Sequence, residues 1–338
     1  MMISTEIHLV RHPEGEPSLS DFRLVETPLP PLRDDQVLVR NRCFALAAVM
    51  RTLMSGADIG MPLGTYRPGH ALFGSALGEV VDAGDAGVTG LRAGDLVMHH
   101  YGWRDYVVES AARFRPVPAD TLPDPALHLN QGLTAYTGLV RVAAIRPGDT
   151  VFVSGAAGAV GTMAGQIARL KGAGRVIGSA GSAAKLGLLT DRLGYDAAFD
   201  YHDTPVADRL REAAPDGIDV YFDNVGGEQL AAAVELARPG ARFALCGALR
   251  DQLGGTSAAV AVDPVEMIGK RLTLAGFHVA DHRDLQGPWL EDFGGWLRDG
   301  LIEVPQTVVS GLQAAPGALL SLLRGEYAGM VVVSVPEQ

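Results

Sequence analysis

The sequence predicts an α/β protein of two domains, a doubly wound parallel sheet and a smaller β-rich unit, on three observations. Its 338 residues are about twice the ~150 of a typical domain. Up to residue 125 the chain runs in short β-like stretches broken by turn residues. Beyond it, strand and helix patterns alternate, the order that lays helices on both faces of a parallel sheet.

The first region holds strand candidates at Gln36–Arg40, Ala76–Ala83, Asp95–Met98 and Tyr106–Val108, with Gly84, Gly87, Gly90 and Gly94 between them. Many short strands with glycine turns make a barrel-like all-β unit. Thr150–Ser154 opens the second region as a short apolar strand. Val160, Met163, Ala164, Ile167 and Leu170 follow at helical spacing. Arg175–Ile177 is the next strand, then Leu186, Leu189 and Leu193 recur at helical spacing before a Gly194 stop. Ala197–Phe199, Ile218–Phe222 and Arg242–Cys246 are later strands, with a helix at Gln229–Leu236. From about residue 305 the chain turns β-rich again and ends on the run Met330–Val335. The expected division is 1–125 with 305–338 for the β-rich domain and 126–304 for the sheet domain.

Composition excludes several classes. Hydrophobic residues are 47% and charged residues 20%, so the chain is neither disordered nor a coiled coil. A net charge of −11 repels phosphate backbones and anionic lipid, which argues against nucleic-acid and membrane partners. Two cysteines, Cys43 and Cys246, are too few for a disulfide framework or a four-thiolate zinc site, and a reducing cytoplasm is expected. The N-terminus becomes charged within six residues, unlike a secretory signal. No uncharged apolar run reaches the ~18 residues that span a bilayer.

Val151–Gly161 carries the strongest chemical signal, with the small-residue spacing Ala156-x-Gly158-x-x-Gly161 at a strand-to-helix turn. A small residue makes the tight turn, Gly158 lets backbone approach a pyrophosphate, and Gly161 lets the helix pack close to the strand. The pattern opens a βαβ unit of about 30 residues, as a dinucleotide site requires. An NAD-selective site wants a carboxylate at the end of the second strand. Gly178–Ser182 has none there, Ser182 can cap the next helix, and Lys185 stands in its first turn. A cation at a helix start opposes the helix dipole, which a bound 2′-phosphate would offset. The expected cofactor is therefore NADPH.

A catalytic zinc is not expected. Gly69-His70 is followed by Ala71-Leu72, with no carboxylate beside the histidine, and His99 and His100 would face opposite sides of a strand. No Gly-x-Ser-x-Gly elbow is present. Cys246 ends an apolar strand and is expected to pack.

Together these residues resemble the medium-chain dehydrogenase/reductase superfamily. Gly74–Gly84 followed by Leu91–Val97 is similar to its N-terminal catalytic domain. Within it the chain resembles the zinc-independent leukotriene B4 dehydrogenase/prostaglandin reductase group, which includes alkenal double-bond reductases. The matching segments are Met50-Arg51, Gly102-Trp103, Gly132–Tyr136, Ala156–Gly161, Gly194–Asp196, Asp223–Gly227 and Cys246–Ala248. The resemblance implies a Rossmann domain inserted in a GroES-like catalytic domain, a homodimer, and hydride transfer from NADPH to the β-carbon of an enone or enal, followed by protonation of the enolate.

Carried over by position, Gly158, Ala159, Val160 and Gly161 would hold the pyrophosphate, and Lys185 and Tyr201 the 2′-phosphate. Asn224 would lie near the ribose and nicotinamide, and Cys246, Gly247, Phe277, His278 and Val279 would line the nicotinamide side. Val49, Met50, Leu253 and Phe277 are candidates for an apolar substrate pocket. The chain departs from the group where a proton donor is expected. Val49 replaces one common tyrosine, Gln252 stands at the position of another, and Tyr327 replaces a cofactor-contacting asparagine. Gln252 can hydrogen-bond an enolate but cannot protonate it as a phenol can. Tyr66 is the other candidate hydroxyl, the alternative being that it packs in a loop. Two other functions fit the same residues: a quinone reductase, and a regulatory protein that binds NADPH without turnover.

Overall fold

The structure, a computed structural model, describes residues 2–57, 64–118, 121–203, 205–248 and 262–336. The chain folds as two units, Met1–Asn130 with Gln306–Gln338 and Gln131–Pro305. The first boundary falls five residues beyond the expected 125, because the helical turn Pro125–Leu129 packs on strands of the first unit and buries Leu127 and Leu129 there.

In the first unit, β1 (Ile3–Leu9) and β2 (Phe22–Pro28) form an antiparallel pair. β3 (Gln36–Leu46) is the long central strand. It pairs with β4 (Ala76–Asp82) and β6 (Tyr106–Ser110), and β4 in turn pairs with β5 (Leu96–His99). β5 pairs with the short β7 (Arg115–Pro116). Val37, Val39, Val80, Val97, Val107 and Phe114 fill the enclosed core. The helix Val49–Met54 follows β3.

Among the described residues the second unit contains six parallel strands: β8 (Thr150–Val153), β9 (Arg175–Ala180), β10 (Ala197–Asp200), β11 (Ile218–Asp223), β12 (Ala237–Leu245) and β13 (Thr273–Gly276). Their order is β10-β9-β8-β11-β12-β13. β8 to β10 grow to one side and β11 to β13 to the other, so the winding reverses between β8 and β11. A crevice opens outside the carboxyl ends of the strands at such a reversal. Phe199, Phe152 and Tyr221 stack in the core of this unit, and Phe243 meets Tyr221 edge to face. The last two strands, β14 (Gln306–Ser310) and β15 (Met330–Ser334), belong to the first unit, where Val331 of β15 pairs with Leu46 of β3.

Two expectations change in detail. β12 begins at Ala237, five residues before the apolar run, because the exposed Pro239 and Gly240 hide its start from any hydrophobic pattern. The helix through Leu186–Leu193 is α-helical only over Ala183–Gly187 and widens to a π-helix over Leu188–Arg192.

His99 and His100 do take opposite sides, one buried and one exposed. The His99 ring lies edge-on to Phe114 and stacks on Tyr101, and its Nδ1 accepts the Tyr101 N–H at 3.1 Å. Burial holds its pKa down near about 3, with His100 and Arg104 adding to the effect. The folded chain therefore keeps this ring neutral, whereas the unfolded chain charges it below about 6.5. Its contribution to stability is present above about pH 6.5 and is lost progressively as the pH falls toward 3. Urea midpoints across that range should fall with acidification, and His99→Gln should flatten the fall.

Candidate cofactor-binding site

β8 is buried along its whole length, which fixes the turn that follows it. Gly155 takes the left-handed conformation with φ +56°, so it makes the tight turn expected of Ala156. Ala156 is instead buried, and its N–H donates to Ser179 O at 2.8 Å. Gly158 is the exposed N-cap of the helix Ala159–Leu170 and offers no side-chain cap. Helix geometry leaves the first amides, those of Ala159, Val160 and Gly161, without intrahelical acceptors. At Gly161 an added Cβ would stand 2.5 Å from Gly155 O and 2.6 Å from Ala156 Cα, so only glycine allows this approach. The backbone thus forms a bare cradle at a helix N-terminus, a shape and polarity that fit a pyrophosphate.

The helix is held against the sheet by Tyr195, whose hydroxyl donates to Gly161 O at 2.7 Å. Its buried ring fills the space above two glycines. A Cβ on Gly165 would come within 2.1 Å of Tyr195 Cζ, and one on Gly178 within 2.9 Å of Cδ1.

Across the winding reversal, Asp223 ends β11 with its carboxylate buried. Oδ1 accepts from the hydroxyls of Ser154 (2.9 Å) and Tyr221 (2.8 Å) and from the N–H groups of Val225 (2.9 Å) and Gly226 (2.8 Å). Its backbone oxygen accepts from Cys246 N at 2.8 Å and Gly247 N at 3.0 Å. Asn224 donates through its backbone N–H to Ser154 Oγ and through Nδ2 to Ser154 O, both at 2.8 Å. Three strand ends are therefore tied to one residue, and Asn224, Cys246 and Gly247 are placed by it. Burial, with Asp223 nearby, pushes the Cys246 thiol up to about 12.

Ser179, at the end of β9, is fully buried. Its hydroxyl donates to Gln229 Oε1 and accepts the Gly155 N–H at 3.3 Å. Ser182 takes N-cap geometry but makes no side-chain capping bond, contrary to expectation. Lys185 is half-buried, and desolvation lowers its pKa. Tyr201 is exposed beyond β10, with its hydroxyl close to Gly181. Phe277, His278 and Val279 follow β13 and are half-buried. The Phe277 ring meets Phe222 edge-on, and His278 Nδ1 accepts the Ala280 N–H.

Two expectations in the first unit are corrected. Tyr66 is buried, its ring edge-on to Phe73, and its hydroxyl donates its one proton to Phe73 O at 2.7 Å. Burial raises its pKa further, so it acts as a packing residue rather than an acid. Met50 is turned into the core, where its Cε closes the space over Gly74, and leaves Val49 as the half-buried residue of that turn. Gln252 and Leu253 lie outside the described residues. Among the described residues no three His, Cys, Asp or Glu side chains converge as metal ligands, and no helix is long and apolar enough to cross a membrane.

A doubly wound nucleotide-binding unit with a glycine cradle at its winding reversal, in one chain with a β-rich unit, defines a nicotinamide-nucleotide oxidoreductase. Family models for the N-terminal domain of oxidoreductase and for zinc-binding dehydrogenase match residues 5–117 and 159–292. Prostaglandin reductase 1 of Bos taurus is 34% identical over 334 residues, 96% of this chain and 97% of that protein. The 2-alkenal reductase (NADP(+)-dependent) of Nicotiana tabacum is 31% identical over 352 residues, 98% of each. The crystal structure of CurA in complex with NADPH from Vibrio vulnificus superposes with a TM-score of 0.91 at 31% identity, over 99% of this chain and 100% of that one. The chain belongs to the alkenal/prostaglandin reductase group of the medium-chain dehydrogenase/reductase superfamily and is an NADP-dependent oxidoreductase.

Asp223→Ala should destabilise the protein by about 3 kcal/mol or more, since it leaves two buried hydroxyls and two amides without their acceptor. Urea unfolding measures the loss, and NADPH fluorescence titration should show weakened binding in the folded fraction. Cys43 and Cys246, both pushed up to about 12, should resist iodoacetamide at pH 8 in the native protein and react once it is unfolded.

Proposed function

We propose that the protein reduces the C=C bond of α,β-unsaturated aldehydes and ketones at the expense of NADPH. Likeness over 98% of its length to a 2-alkenal reductase carries this reading. When bound, NADPH supplies the hydride to the β-carbon. The chain's own part is to hold and orient. Conjugate reduction needs a donor fixed near an electrophilic carbon and a hydrogen bond to the oxygen that becomes an enolate. A rigid cradle meets the first need.

In this reading the amides of Ala159, Val160 and Gly161 hold the pyrophosphate beside Gly158. Lys185 and Tyr201 hold the 2′-phosphate. Asn224, fixed by two hydrogen bonds to Ser154, meets the ribose. Cys246, Gly247 and Phe277–Val279 line the nicotinamide side, where the protonated thiol acts as a small apolar wall. Gln252 is the candidate donor to the enolate oxygen, and bulk water can then supply the proton. The reading includes a homodimer.

NADPH oxidation at 340 nm should be seen with a linear enal, a cyclic enone and a benzylidene ketone, and not with a saturated aldehyde. Lys185→Ala should raise the KM for NADPH about tenfold, with little change for NADH. Turnover of quinones alone would favour a quinone reductase. NADPH binding without turnover of any of these would favour the silent regulatory protein.

A further inference from the structure

The loop after β10 brings a histidine to the place where the two nicotinamide cofactors are told apart. A Cβ added to Gly181, just beyond β9, would stand 2.9 Å from the Tyr201 hydroxyl and 2.9 Å from His202 Cε1. The two rings lie side by side, with centroids 4.1 Å apart. His202 is held from two directions by one carboxylate: its backbone N–H and its Nδ1 both reach Asp200 Oδ1 at 2.9 Å. The carboxylate accepts, so Nδ1 carries a proton and the ring's other nitrogen, Nε2, is left as the variable one. In the neutral ring Nε2 is an acceptor; in the imidazolium it is a donor. The imidazole side chain is well exposed, whereas the Asp200 carboxylate is mostly covered.

This arrangement has an electrostatic logic. The end of β9 lacks the acid that would select NAD, but β10 ends in one, Asp200, near the position where a 2′-phosphate would lie. An unmasked carboxylate there would repel the phosphate. An imidazolium on Asp200 cancels that charge and turns an N–H outward. We propose that His202 is a selectivity residue for the cofactor 2′-phosphate, donating from Nε2 while its Nδ1 masks Asp200. The inference rests on the reading that Lys185 and Tyr201 form the 2′-phosphate site. The titratable groups that the ring is seen to meet are Asp200, against its Nδ1, and Tyr201, whose ring lies beside it. Of these, the Tyr201 hydroxyl is raised by burial and by Asp200, so it stays a neutral donor at the pH values that matter.

The test is calorimetric binding of 2′,5′-ADP and of 5′-ADP to the full-length protein, with no turnover required. The proteins are wild type, His202→Ala, Lys185→Ala and the double variant His202→Ala/Asp200→Asn. His202→Ala should weaken 2′,5′-ADP about fivefold, with 5′-ADP unchanged within about twofold. Adding Asp200→Asn should recover part of the loss. The inference is overturned if both nucleotides weaken in parallel, if His202→Ala matches wild type, or if the double variant binds 2′,5′-ADP no better than the single one. If Lys185→Ala leaves 2′,5′-ADP binding intact, it is the placement of the 2′-phosphate site that fails.

Discussion

The buried carboxylate of Asp223 is the constraint on which the rest of the cofactor unit depends. Parallel strands end in loops that nothing in the sheet itself holds in place, and at the winding reversal three of those ends must agree in position. Two hydroxyls and two amides converge on Oδ1, and two further amides on the backbone oxygen, so β8, β11 and β12 finish in register with one another. A buried anion is costly unless its oxygens are filled with donors. Here the donors come from the segments that need to be aligned, so satisfying the charge and ordering the crevice are the same event.

Around that anchor the other polar groups are quiet. Ser154 donates to that carboxylate, Ser179 donates to Gln229, and the Cys246 thiol stays protonated. A hydride donor requires little acid–base chemistry from its surroundings and much positional precision. Tyr66 follows the same pattern: a hydroxyl that looks catalytic in a list of residues proves to be the pin between a ring and the backbone at Phe73.

Much of the fold was legible in the sequence because its signals are local. The buried strand β8 reads as an apolar run, and the helix after it shows clean periodicity. Gly158 and Gly161 declare themselves by spacing. What escaped has a common cause in contacts made at long sequence separation. Asp223 lies in a segment that resembles the group, but its partner Ser154 is 69 positions away and no periodicity links them. Gly155 could not be told from Ala156 as the turn residue without a backbone angle. β1, β2 and β13 were missed because β1 and β2 mix exposed and buried positions and β13 is four residues long at a sheet edge. Met50 and Tyr66 were placed by neighbourhood in the chain, and burial reversed both.

Tyr195 has a bearing on how such a chain can vary. Its ring occupies the volume that side chains at positions 165 and 178 would need, and its hydroxyl holds the helix at the height that Gly161 permits. Any enlargement at 165 or 178 evicts the ring, and any shrinkage at 195 opens a void under the nucleotide cradle. These positions are sterically coupled, so a side chain added at 165 or 178 calls for a smaller residue at 195, and changes here are tolerated best as compensated pairs.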